Sequence, residues 1–171
     1  MNFEVKPEVL IAALETDDDI GAVLRAHLQA EEFLNWYLSE RIQGDLATYV
    51  KPPRDFGGKL STAAALGLPL EFAGVAHQLN NIRNKLAHRI DGLNPSHVQQ
   101  FGRDVEKLVA IDPGFIPLKG RNLELCVKNP GQLYTYGDGN ARLDLGIASF
   151  AFLGVAMRWS VALSNTTTAQ S

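Results

Sequence analysis

The 171-residue chain holds a single cysteine, Cys126, which excludes an internal disulfide and any site built from several cysteines. It has no surplus of positive charge: sixteen Lys and Arg stand against nineteen Asp and Glu, a net of −3, so a generally basic protein that coats nucleic acid is excluded. The opening Met1–Lys6 segment has no charged stretch leading into an apolar run, so a secretory signal is not expected. No uncharged run is long enough to predict a membrane span. The longest near the C-terminus, Leu145 to Met157, is closed by Asp144 and Arg158 and falls short of the roughly 20 apolar residues a span needs. No phosphate-binding glycine loop is present, because Pro53 stands where such a loop ahead of Gly58-Lys59 needs its first glycine. No internal repeat is found. A cytoplasmic protein without a membrane segment is expected.

What is present is enough for one globular domain over residues 1–171: 46% of the residues are hydrophobic. Charge is unevenly placed. Residues 1–32 carry eight acids against Lys6 and Arg25, a net of −6, so the remainder nets +3. Between Glu71 and Asp91 there is no acid, only Arg83, Lys85 and Arg89, which leaves room for a local anion-binding surface. The acidic first segment favours a protein partner, and the basic later one favours phosphate.

Asp17-Asp18-Asp19 places capping side chains and negative charge at a helix start. From there Ile20, Val23, Leu24, Leu28, Leu34, Leu38 and Ile42 recur at helical spacing, predicting about six turns. Gly44 and Lys51-Pro52-Pro53 end that region. Phe56 to Leu66 reads as a shorter helix stopped by Gly67 and Pro69, and Leu70 to Arg89 as a third helix closed by Asp91-Gly92. Asn94-Pro95 opens a fourth through Val98, Phe101, Val105 and Leu108. Residues 112–140 are irregular, with Leu123 to Val127 alternating like a strand or hairpin arm. A final helix is expected over about 141–163, with Gly146, Ala148, Ser149, Ala151 and Gly154 small enough for a second helix to approach. Ser164-Asn165 would end it, leaving a frayed polar tail from Thr166. Asn165-Thr166-Thr167 matches a glycosylation triplet but carries no weight without a secretory signal. The fold class is all-α, with a small irregular or hairpin insertion before the C-terminal helix.

The third helix holds the chemistry. At about 100° per residue, Val75, Leu79, Ile82 and Leu86 form a core stripe, and roughly opposite lie His77, Asn81, Asn84 and His88. A solvated face would ordinarily carry Glu, Lys and Gln. Two imidazoles and two amides can instead make a polar helix contact or a site, and spacing alone leaves these readings open. Arg83 stands about 140° from His88, while Asn84 and His88 are i, i+4 neighbours. A guanidinium suits phosphate, an imidazole suits proton transfer near neutral pH, and a carboxamide can orient either.

Arg83-Asn84-Lys85-Leu86-Ala87-His88 matches the R-N-x-x-x-H form of the R-x(4–6)-H signature, and in an all-α chain it resembles the HEPN domains (higher eukaryotes and prokaryotes nucleotide-binding). Asp19 to Leu28, Phe56 to Leu60 and Ala65 to Leu68 look like the mannitol-operon-repressor-like branch of that group. The resemblance covers roughly residues 15–110. It implies a helical bundle, a homodimer that brings two motifs into one cleft, and a metal-independent endoribonuclease of the toxin–antitoxin, phage-defence or RNA-processing kind. Arg83 would then bind the scissile phosphate, His88 would be the general acid or base, and Asn84 would position them, with attack by the 2′-hydroxyl leaving a 2′,3′-cyclic phosphate. RNA would be the substrate, an antitoxin or regulatory protein a further partner, and no cofactor is implied. His77, Asn81, Lys85 and Glu31 are the supporting residues. Other members of the group are non-catalytic regulators resembling the mannitol operon repressor, and fold does not separate the two. Nucleotide binding without cleavage is a third class.

His27 and Glu31, four apart on the first long helix, are expected to satisfy one another in the core, the alternative being that Glu31 orients Arg83. Lys51, Arg54 and Lys59 read as a solvated basic loop rather than a guide for RNA. Phe33, Trp36, Tyr37 and Trp159 read as core or dimer contacts. Four histidines and one cysteine show no metal-ligand spacing beyond His77 with Asn81, which is no credible site, so no metal is expected.

Overall fold

Apolar spacing, caps and glycine stops produce seven α-helices and one hairpin among the residues described by this computed structural model, 3–87 and 92–168. The helices are α1 (Pro7–Leu14), α2 (Asp19–Arg41), α3 (Leu46–Tyr49), α4 (Phe56–Ala65), α5 (Leu70–Ala87), α6 (Pro95–Glu106) and α7 (Ala141–Thr168). Short 3-10 turns cover Lys107–Ala110 and Leu118–Gly120. The chain is thus mainly α-helical, as expected. The insertion before α7 contains an antiparallel hairpin of β1 (Asn122–Glu124) and β2 (Leu133–Thr135), with Leu123 opposite Tyr134.

Local chemistry accounts for the ends. Asn94 accepts from the Ser96 N–H and is followed by proline at the first helical position of α6. Asp55 does the same for α4, accepting from the Gly58 N–H at 2.8 Å. Gly67, with φ of +92°, closes α4 in the left-handed region, and the N–H groups of Gly67 and Leu68 donate to the carbonyls of Ala64 and Ala63. Pro69 then prevents continuation.

Several expectations are corrected. Asp18 occupies the N-cap position of α2, but its side chain makes no capping bond; Asp17 and Asp19 serve other partners. Ile20, Leu24 and Leu28 are exposed, at 54%, 40% and 50%, so they do not belong to the core stripe, which runs through Val23, Ala26, Ala30, Leu34 and Leu38. The fourth helix gives way to a 3-10 turn at Lys107. The last helix passes Ser164-Asn165 and runs to Thr168, so the segment from Thr166 to Thr168 is not a frayed tail. Helices α1 and α3 were not anticipated. The expected end of the third helix at Arg89, and Asp91 in its terminator, lie outside the described residues; Gly92 takes a φ of +75°.

The buried apolar side chains join into one cluster drawn from α1, α2, α4, α5, α6 and α7. Its centre is aromatic: the ring of Phe33 lies 5.0 Å from that of Phe72, 5.9 Å from Phe152 and 5.3 Å from Phe3, with Trp36, Tyr37 and Trp159 alongside. These rings are core, as expected. Residues 141–165 of α7 are long and apolar enough by length and composition to cross a membrane, but 61% of the apolar window is buried inside the fold. Its apolar side chains, from Leu143 to Ala156, face the neighbouring helices.

Small residues on α7 admit a close neighbour at Gly146, where a Cβ would lie 2.5 Å from a methyl of Leu14 on α1. Leu14 is fully buried, so it has little space into which to move. Leu14→Ala is expected to cost about 3 kcal/mol through lost burial and the cavity left behind. Gly146→Ala should destabilise the otherwise unchanged protein by about 1 kcal/mol through overpacking. In the Leu14→Ala background the same change should be stabilising, because the clash is gone and alanine is the better helix former. Urea unfolding of the four proteins as a double-mutant cycle checks this, and additive effects would refute it.

Candidate functional site

Helices α2 and α5 cross side by side, and α4 with the segment before it closes one end of their junction. The result is a groove of about 500 Å³ lined by His27 and Glu31 from α2, Arg54, Asp55, Phe56 and Gly57 at the start of α4, and Asn80, Arg83 and Asn84 from α5. The core stripe of α5 (Val75, Leu79, Ile82, Leu86) is buried as expected and sets the rotation that turns Asn80, Arg83 and Asn84 toward this groove.

Arg83 and Asn84 are exposed at its mouth, and an Nη of Arg83 donates to the Asn84 Oδ1 at 3.0 Å. Two of the three motif residues are therefore brought together, with the carboxamide holding the guanidinium. The third, His88, lies outside the described residues. The four-residue polar face does not act as a unit: His77 is exposed, Asn81 is half-buried, and neither lines the groove. Lys85 faces away, toward α6, where its ammonium donates to His97 Nε2 at 3.1 Å.

Glu31 lines the groove, but its partner is neither of those expected. Its carboxylate pairs with Lys59 at 2.6 Å, with side-chain exposures of 22% and 13%. The expected His27–Glu31 pair is thereby corrected, and Lys59 is not a solvated loop residue but a half-buried cation on α4. Taking both charges partly out of water makes each dependent on the other. Arg54, by contrast, is exposed on the groove wall.

His27 is buried and its Nε2 lies 3.1 Å from Asn80 Oδ1. Its ring rests 4.3 Å from that of Phe56, tilted by 33°. Burial pushes the imidazole below the ordinary histidine value, Asn80 and Glu31 oppose that shift, and Arg83 adds to it. Asn80, Phe56 and the role of Arg54 escaped sequence reasoning. The partners His27 and Asn80 are 53 positions apart, and Asn80 sits one residue off the polar face; only its lack of charge on an otherwise amphipathic helix was a signal.

Among the described residues no group of three or more His, Cys, Asp or Glu comes together as metal ligands. Cys126 is exposed on the insertion and is not among the residues that line the groove. Compared with known proteins, the chain matches no family model, no curated protein and no solved structure.

The His27 shift has a pH signature. In the unfolded chain the imidazole binds its proton near pH 6.5, whereas in the fold it resists doing so until lower pH. Below that value the unfolded state holds more protons, so stability falls as pH drops through the window under about 6.5. Urea midpoints measured between about pH 7.5 and 5 should fall more steeply for the parent protein than for His27→Gln. Parallel curves would show that His27 is not held neutral.

Proposed function

We propose that this protein is a metal-independent endoribonuclease of the HEPN kind, cleaving RNA by attack of a 2′-hydroxyl on the adjacent phosphate and leaving a 2′,3′-cyclic phosphate. The observation that carries the reading is the Arg83–Asn84 pair, exposed at the mouth of a groove that also presents Arg54. A guanidinium fixed by a neighbouring carboxamide offers its remaining N–H donors to a phosphate in a set direction, and developing charge on that phosphate is stabilised without reorganisation. The role of His88, proton transfer to or from the reacting oxygens, rests on the R-N-x-x-x-H resemblance alone.

The active form in this reading is a homodimer. Ile20, Leu24 and Leu28, exposed at i, i+4 and i+8, form an apolar ridge on the same helix that sends His27 and Glu31 into the groove. Contiguous apolar surface of this sort marks an interaction site. Leu24→Asp should convert a dimer to a monomer without unfolding it, as read by light scattering and circular dichroism; a parent protein that is monomeric at every concentration would refute the dimer.

A regulator or interaction module resembling the mannitol operon repressor is the second reading, favoured by the same ridge, which suits a protein partner as well as a second copy. RNA incubated with purified protein in excess EDTA separates the two. The parent protein is expected to yield cyclic-phosphate ends. Arg83→Ala should lower the rate about 10²–10³-fold, and His88→Ala about 10²–10⁴-fold. No cleavage of any RNA by well-folded protein would favour the binding module.

A further inference from the structure

Resting on the phosphodiester-cleavage reading, we propose that His27 is the proton acceptor of the groove, taking the 2′-hydroxyl proton of the ribose bound beside Arg83. Nothing in the R-N-x-x-x-H motif points to this residue; its placement does. Its ring lines the same groove as Arg83 and Arg54, so a ribose whose phosphate those guanidiniums hold would sit in the space beside it.

A base must have a free lone pair. Asn80 Oδ1 can only accept a hydrogen bond, so the Nε2 that faces it carries the hydrogen, and the neutral ring keeps its lone pair on Nδ1. Contact with the Phe56 ring and enclosure by the helices favour that uncharged form. The charged neighbours are accounted for. On α2, Glu31 is paired with Lys59 of α4. Ahead of α4, Asp55 is occupied with the Gly58 N–H, and Arg54 is a cation. From α5 comes Arg83. Both groove carboxylates are thus engaged, and His27 is the neutral base that remains.

The step balances without any oxidant or reductant. The proton passes from O2′ to Nδ1 of His27, O2′ forms a bond to phosphorus, and the bond from phosphorus to O5′ breaks. The departing 5′-oxygen takes up a proton from water. The imidazolium left on His27 keeps its Nε2–H bond to Asn80. Asn80 is a positioning residue that fixes the tautomer and aims the ring.

The test is cleavage of a short RNA in excess EDTA from about pH 5 to 9. His27→Ala should lower kcat about 10²–10⁴-fold with KM little changed, and added imidazole should restore part of the rate. In the parent protein the rate should fall on the acid side as His27 gains its proton, and that limb should vanish in His27→Ala. Asn80→Asp should keep most of the rate but move the limb to higher pH, since a carboxylate favours the imidazolium. Full activity of His27→Ala overturns the proposal. So does a loss that imidazole does not rescue together with an Asn80→Asp limb that has not moved, the pattern of a purely structural histidine. If His27→Ala fails to fold, the Asn80→Asp profile decides alone. A parent protein that cleaves no RNA sinks the cleavage reading and this proposal with it, an outcome distinct from a parent that cleaves and is indifferent to His27.

Discussion

Phe33 occupies the crossing of α2, α5 and α7, and the position of everything else follows from it. Its ring meets Phe72 of α5 and Phe152 and Trp159 of α7 within 5.0–6.2 Å. Aromatic contacts of this kind combine large buried area with preferred relative orientations, so they fix both the distance and the rotation of the helices they join. Six residues before Phe33 on α2 stands His27, and eight residues after Phe72 on α5 stands Asn80, so the two contacts show the helices running antiparallel. The groove is the continuation of that packed seam to the end where polar side chains and the single ring of Phe56 follow the aromatic cluster.

Of the eight acids in the first 32 residues, read in the sequence as a pull toward protein partners, four are engaged across the fold. Glu15 accepts from the N–H groups of Val127 and Lys128; Asp17 pairs with Lys128 and Arg142; Asp19 accepts from the Leu93 N–H and also meets Arg142; Glu31 takes Lys59. Hydrogen bonds from Lys128 and then Arg142 hold the Asp17 carboxyl below its ordinary value although it faces water. Pairs to a carboxylate as exposed as that of Asp17 add little stability individually. Their value here is geometric: they tie the α1–α2 corner to the hairpin and to the start of α7, which brings the irregular insertion into register with the bundle.

Much of the fold was legible. The periodicities behind α2, α4, α5 and α6 correspond to observed helices, because each helix buries one stripe, although in α2 Ile20, Leu24 and Leu28 lie outside it. Of the alternation from Leu123 to Val127 only Leu123 and Glu124 lie in a strand, and Val127 is exposed. Helix α1 was not, since its eight residues bury only Leu10 and Leu14, too short a pattern to stand out. The apolar ridge of Ile20, Leu24 and Leu28 shows the limit of the method from the other side: helical spacing establishes that a face exists, not that the fold covers it. The same limit explains the end of α7, where polar residues continue a helix whose preceding turns are anchored by packing.

At the candidate site the division is similar. The chain itself determined that Arg83 and Asn84 would share a helix with a core stripe opposite, since both follow from spacing on one element. It also determined that an acid-free, basic segment would surround them. Which groups face them across the groove was decided only by tertiary structure. Glu31 could reach His27, Arg83 or Lys59 as far as sequence goes, and the docking of α4 gave it to Lys59. His27 could have been a core residue paired with its neighbour, and the antiparallel crossing of α2 and α5 gave it Asn80 and a place beside Arg83. Hydrogen bonds and ion pairs act over a few ångströms, and residues from different helices come that close only after the apolar surfaces have chosen how the helices cross.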